Sequence, residues 1–193
     1  ALAFDGLDGD ADEAWDWAKW LPHARVGAST GGPAATIATS YEALADLLDD
    51  LVAPRVEQLR TLRAARAGIQ TNEERIDAPF VVLIVDGYEP LGPAARLPLL
   101  REAMHHGAAL RVAVICLVDD PADEPSDADA SLRLAPRGTA TLVHAGPGGD
   151  TVGAIEPDDL AAGAAEALAR ALAPIQLGDG GEASARAGRD LVR

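Results

Sequence analysis

Pro79-Phe80-Val81-Val82-Leu83-Ile84-Val85-Asp86-Gly87-Tyr88-Glu89 holds five consecutive apolar residues after Phe80 and closes on an Asp-Gly pair. Most of that run is β-branched, which costs side-chain freedom in a helix and suits a pleated strand. A short run with no polar alternation predicts a strand buried on both faces, as in a parallel sheet. In an open parallel sheet the carboxyl ends of the strands face the ligand crevice. Asp86 stands at that end. The same Asp-Gly pair is also a common turn, in which Asp86 would do no more than cap its own backbone.

Working outward, the next elements repeat the pattern. Ala94 to His106 predicts a helix with Leu97, Leu100 and Met104 inward and Gly107 as its C-terminal cap. Leu110 to Val118 predicts a second buried strand, so strand, helix and strand form a parallel crossover. Upstream, Thr39-Ser40-Tyr41-Glu42 has capping-box spacing. Leu44, Leu47, Leu48, Leu51 and Val52 then recur at helical spacing, and Val56, Leu59 and Leu62 continue the stripe beyond Pro54. Proline removes an intrahelical donor, so a bend or split is expected there. Leu2-Ala3-Phe4 before Asp5-Gly6 reads as the end of a strand, and residues 67–78 as a polar loop.

Downstream, Asp119 to Ala130 reads as an acidic, proline-containing, mobile loop. Ser131 to Leu134 and Thr139 to Val143 read as short edge strands, a candidate hairpin, with a turn at Gly146 to Gly149. Pro157 with Asp158 and Asp159 suits the first turn of a helix whose inner face carries Leu160, Ala164, Ala167, Leu168, Ala171 and Leu172 before Pro174. Gly178 to Arg189 has the composition of a linker. The expected division is thus an α/β domain over 1–177 and a linker over 178–193, where Asp190 to Arg193 begins a further element.

Composition narrows the function. Hydrophobic residues make up 48% of the chain and aromatics only 4%, so the core must be aliphatic. A net charge of −15 opposes the cationic phosphate contacts that nucleic-acid binding needs. A single cysteine, Cys116, excludes a disulfide framework and suits a reducing compartment. No apolar run approaches the roughly 18 residues of a membrane helix. The chain opens on Ala1 in an apolar segment, with Met104 as its only methionine, and so reads as a piece of something longer.

The acids Asp8 to Glu13 lack the glycine and final glutamate of a calcium loop and suit the first turn of a short helix instead. That helix carries Trp15-Asp16-Trp17-Ala18-Lys19-Trp20-Leu21-Pro22-His23, all the tryptophans of the chain. On an α-helical period Trp15 and Trp20 do not share a face with Trp17, so one ring at least faces the surface or a partner. Rings lidding one edge of the sheet are favoured over rings stacking on a ligand. A lone His23 after such a helix reads as structural, and the pair His105-His106, without the Cys or acidic neighbours of a metal site, as surface residues.

Catalysis has few candidates. A phosphate loop needs glycines followed by Lys and Ser or Thr. The only lysine, Lys19, lies between Ala18 and Trp20 with no such loop before it. Asp86 occupies the place of the magnesium-ordering, Walker-B aspartate of nucleotide-hydrolysing sheets. Gly87 stands where an active ATPase has a second acid. No Gly-x-Ser-x-Gly elbow occurs, and the one cysteine lies in an apolar run, so acyl transfer has no nucleophile.

From Trp15 to Arg25 (Trp-Asp-Trp-Ala-Lys-Trp-Leu-Pro-His-Ala-Arg) the chain resembles the EccC-type core ATPases of type VII (ESX) secretion, members of the FtsK/SpoIIIE superfamily. Phe80 to Gly87 and Ala164 to Leu177 agree in kind and order. The resembling segment is the ATPase-like domain between the transmembrane helices and the tandem motor domains. The resemblance implies a RecA-like, P-loop-NTPase-like three-layer α/β sandwich with a mostly parallel sheet, here without its own P-loop. It implies a place at the cytoplasmic face of the inner membrane. It also implies a hexamer of full-length chains that uses ATP and Mg2+, meets secretion-system membrane components and exports small helical proteins. Asp86 and Gly87 would be a degenerate Walker-B pair; Trp15, Trp17 and Trp20 would be interaction residues. The expected function is non-hydrolysing coupling in protein export. The alternatives are a working nucleotide-binding ATPase domain with an upstream P-loop, an FtsK-type DNA translocase, or a free-standing regulatory module.

Overall fold

The computed structural model describes residues 2–4, 15–26, 34–65, 75–135, 138–144, 151–158, 160 and 163–175. The expected turn at Asp5-Gly6, the acids Asp8 to Glu13, the Gly146 to Gly149 turn and the linker over 178–193 lie outside the described residues. In chain order the strands and α-helices begin with β1 (Leu2–Phe4), β2 (Arg25–Val26), β3 (Ala34–Ala35), β4 (Ile37–Ala38), α1 (Tyr41–Leu51) and α2 (Ala53–Ala65). They continue with β5 (Val81–Asp86), α3 (Pro98–Leu110), β6 (Val112–Leu117), β7 (Ala130–Leu134), β8 (Ala140–His144), β9 (Thr151–Ile155) and α4 (Ala164–Leu172). They fall into two compact units, Ala1–Ala11 with Ala38–Asp159, and Asp12–Ile37 with Leu160–Arg193.

The first unit is mixed α/β. Its main sheet has the order β4-β1-β5-β6, and β5 pairs in parallel with β1 on one side and β6 on the other. Register places Leu83 beside Val114 and Val85 beside Cys116, so these four share a face. Leu44 and Leu48 of α1, Val56 and Leu59 of α2 and Val52 between them join Leu83 and Val85 in one core with Leu100, Ala103 and Leu110 of α3. The opposite face differs from expectation. Val82 is 42% exposed and Ile115 45%, so β5 is buried on one face rather than two. The physical reason is that the core-forming side chains of α1, α2 and α3 all join the Leu83–Val85 face.

The helices show where local chemistry overrides periodicity. Ser40, not Thr39, is the N-cap of α1: its hydroxyl accepts from the Ala43 amide at 3.1 Å. Val52 and Pro54 split the long stripe into α1 and α2, as the missing proline donor requires. The helix expected from Ala94 is a 3₁₀ turn over Ala94–Arg96 followed by α3, because Pro98 fits the first position of a new helix. Gly107 does not cap α3. Its dihedrals turn non-helical at His106, the helix resumes to Leu110, and Arg111 closes it in the left-handed region at φ 58°. The Arg55 guanidinium donates to the Leu110 carbonyl at 3.0 Å, and Arg111 Nε donates to the Ala78 carbonyl at 3.2 Å.

A separate antiparallel sheet has the order β7-β8-β9. The β7–β8 hairpin matches expectation; β9 does not, since no strand is legible at Thr151 to Ile155. The acidic stretch between β6 and β7 is held rather than open. Asp120 caps a 3₁₀ turn over Pro121–Asp123 by accepting from the Ala122 amide at 2.8 Å. Glu124 accepts from Arg133 at 3.0 Å, and Asp127 lies 3.1 Å from His105 Nδ1.

In the second unit β2 and β3 form a small antiparallel ribbon, Arg25 beside Ala35 and Val26 beside Ala34. Helix α4 starts at Ala164, not at Pro157, because Gly163 takes φ 79° and supplies the turn into it. Leu160 and Leu168 are 61% and 56% exposed, so they do not form the inner face expected of them; Ala169 does.

Candidate functional site

The carboxyl end of the parallel sheet gathers the residues with chemical potential. Asp86 is the last residue of β5, in register with Phe4 of β1 and Leu117 of β6. Gly87 follows at φ 69°, a conformation that side chains disfavour. The chain then returns to the sheet: the Tyr88 amide donates to the Leu117 carbonyl at 3.0 Å. Glu89, Asp119 and Asp120 stand exposed on the segments leaving the same end. Asp86 thus closes the inner strand of the parallel sheet and leads into a turn at Gly87.

Behind this end lies a small group of polar atoms that the sequence does not announce. Tyr88 is 7% exposed, and burial first, then Cys116 and Asp127, raises its hydroxyl above the usual range. Burial, with Asp127 adding to it, pushes the Cys116 thiol up to about 11. At neutral pH Cys116 is therefore held as the protonated thiol. His105 and His106 are surface residues as expected, yet they have acidic partners: Asp127 at 3.1 Å and Glu102 at 4.0 Å. The acid that reaches His105 comes from a distant loop, so helix spacing could not reveal it. Among the described residues no group of three or more His, Cys, Asp or Glu side chains could hold a metal ion. An open groove on α2, lined by Pro54, Glu57, Gln58, Thr61, Leu62 and Ala65, is remote in sequence from Asp86 and carries no array of phosphate donors.

Trp17 and Trp20 lie in the second unit on a 3₁₀ segment, Asp16–Trp20, which Trp15 immediately precedes and which is followed by another over Pro22–Ala24. Three residues per turn align positions three apart, and Asp16 and Lys19 form an ion pair at that spacing. The expected separation of Trp15 from Trp17 is overturned. Their rings stack with centroids 5.7 Å apart and planes at 29°. The cause is that Trp15 precedes the helical turns, at φ −105° and ψ 1°, so an α-helical wheel does not apply to it. Trp20 is flanked by cations, Arg170 of α4 at 4.3 Å and Lys19 at 5.8 Å from its ring centroid. Its indole N–H is buried without a hydrogen-bond partner among the described residues. The three rings thus split into a stacked pair and a cation-flanked single ring.

No protein-family model matches the chain, and no curated protein matches it. No helix among the described residues is long and apolar enough to cross a membrane.

Proposed function

We propose that the chain is a RecA-like, ATPase-like module of a type VII secretion motor of the FtsK/SpoIIIE kind, and that it couples parts of a longer protein without hydrolysing ATP. The observation that carries this reading is the pair Asp86 and Gly87. A carboxylate closes the central strand of a parallel sheet where magnesium would be ordered. The next residue has no side chain and sits at φ 69°, where a water-orienting acid would be needed. The resemblance over Trp15 to Arg25 supplies the family in this proposal. On this reading the full-length protein uses ATP and Mg2+ elsewhere and works as a hexamer at the cytoplasmic face of the inner membrane. Trp15, Trp17 and Trp20 act as contact residues and not as a ligand platform, which suits rings already engaged with one another and with Arg170.

Calorimetric titration of the chain with ATP, with and without Mg2+, tests the reading. The expected result is no saturable binding and no phosphate release. Magnesium-dependent binding that disappears in Asp86→Ala would replace this reading with a working nucleotide site.

A further inference from the structure

The β7-β8-β9 sheet turns apolar side chains of its outer strands to water. Antiparallel sheets with one wet face normally set polar side chains toward water. Here the polar face carries a tether within the chain: Glu124 takes hydrogen bonds from Ser131 and Arg133 of β7, which alternate with the apolar residues of that strand. Register places Leu132, Leu142 and Val152 in one row across the three strands on the other face, with Leu134 next to Ala140. Leu134 is 70% exposed, Leu132 57% and Val152 49%, while Leu142 of the middle strand is half-buried and Ala140 buried. A contiguous apolar row of this kind marks an interaction surface.

Charge says what fits there. Asp129 immediately precedes β7, and Glu156 and Asp158 follow β9; all three are exposed. β7 and β9 are the outer strands and both run antiparallel to β8, so these acids stand at diagonal corners of the sheet. A five-residue strand and two inter-strand spacings give a diagonal of about 20 Å, which an α-helix covers in about 13 residues.

We propose that this face docks an amphipathic helix of about 13 residues from a protein partner, apolar along one side and carrying Arg or Lys near both ends. A second copy of the chain fits poorly, because it would bring acidic corners and a net charge of −15 against their like. Nucleic acid and anionic lipid surfaces are disfavoured by the same carboxylates. The inference is read from the sheet alone and stands apart from the nucleotide question.

The test uses two synthetic helical peptides of about 14 residues, with Leu on one face and either Lys or Glu on the rest. Binding to the 193-residue chain is followed by fluorescence anisotropy. The Lys peptide should bind, more weakly as salt rises, and the Glu peptide should not. The triple variant Leu132→Ser, Leu134→Ser, Val152→Thr keeps every charge and should bind the Lys peptide at least tenfold more weakly. Asp129→Asn with Glu156→Gln and Asp158→Asn should flatten the salt dependence. Equal binding by the triple variant would mean mere charge attraction and would overturn the proposal, as would equal binding of the Glu peptide. Self-association of the wild-type chain that the triple variant abolishes, with no competition from the Lys peptide, would assign the face to a second copy instead. Far-UV circular dichroism checks folding, and the single variant Leu134→Ser replaces the triple one if that fails to fold.

Discussion

Gly107 and the carbonyl oxygen of Val112 are packed so closely that no side-chain carbon fits between them. The contact joins the last turns of α3 to the first residue of β6, and it explains why glycine is needed there although Gly107 is neither a cap nor at positive φ. The neighbour is backbone within a strand and cannot swing aside. Gly107→Ala should therefore destabilise the fold by about 1–3 kcal/mol despite alanine's higher helix propensity. Urea unfolding measures this; a stabilised variant would show that the tight contact is absent.

Ser40 rather than Thr39 begins α1. Removing the hydroxyl that accepts from the Ala43 amide leaves an end-of-helix donor unsatisfied. Ser40→Ala should cost about 1 kcal/mol, whereas Thr39→Ala should leave the unfolding midpoint near the wild-type value. Paired denaturation curves of the two variants decide between the caps.

These two positions show how far the sequence carries. The β5 run, the split at Pro54 and the β7–β8 hairpin were legible, because each rests on a local pattern that the final structure keeps. Asp86 could be placed at the end of its strand for the same reason. Gly107 could not be read correctly, since the requirement comes from Val112 across a turn. β9 was hidden by Gly153 in its middle and by Pro157, which looks like a helix start. The Asp127–His105 pair joins a loop to a helix, and no spacing rule connects them. The Trp15–Trp17 stack was missed because an α-helical period was assumed where the chain turns more tightly.

The Cys116 thiol supplies a pH prediction. Its value in the fold is raised from 9.0 to about 11, so the folded state favours the neutral form. The associated stability is complete below pH 9.0 and is lost as pH rises toward 11. At pH 7.5 iodoacetamide should modify the native chain far more slowly than the urea-unfolded chain. Equal rates would mean an accessible, ordinary thiol. Cys116→Ser should also flatten any decline in stability across the alkaline window.

Glu124 gives the opposite sign. Hydrogen bonds from Ser131, then Arg133, hold its carboxyl below the ordinary value of 4.5. The tether between the acidic segment and β7 is therefore present above pH 4.5 and is lost as pH falls through the lower folded value. The protection factors of the β7 amides, corrected for the slower intrinsic exchange at low pH, should fall as the pH is lowered through that range. Glu124→Gln should show the lower protection already at neutral pH, and unchanged protection in the variant would mean that the tether contributes nothing.

β6 borders its sheet, and its outer side has no strand partner among the described residues. A six-residue border strand of aliphatic side chains and one cysteine, without proline or charge, is a template on which foreign chains can grow. The practical outcome concerns handling: storage at high concentration favours cross-β seeding from this border, and a lysine placed at Ile115, on the side that is already wet, is the least disruptive way to suppress it.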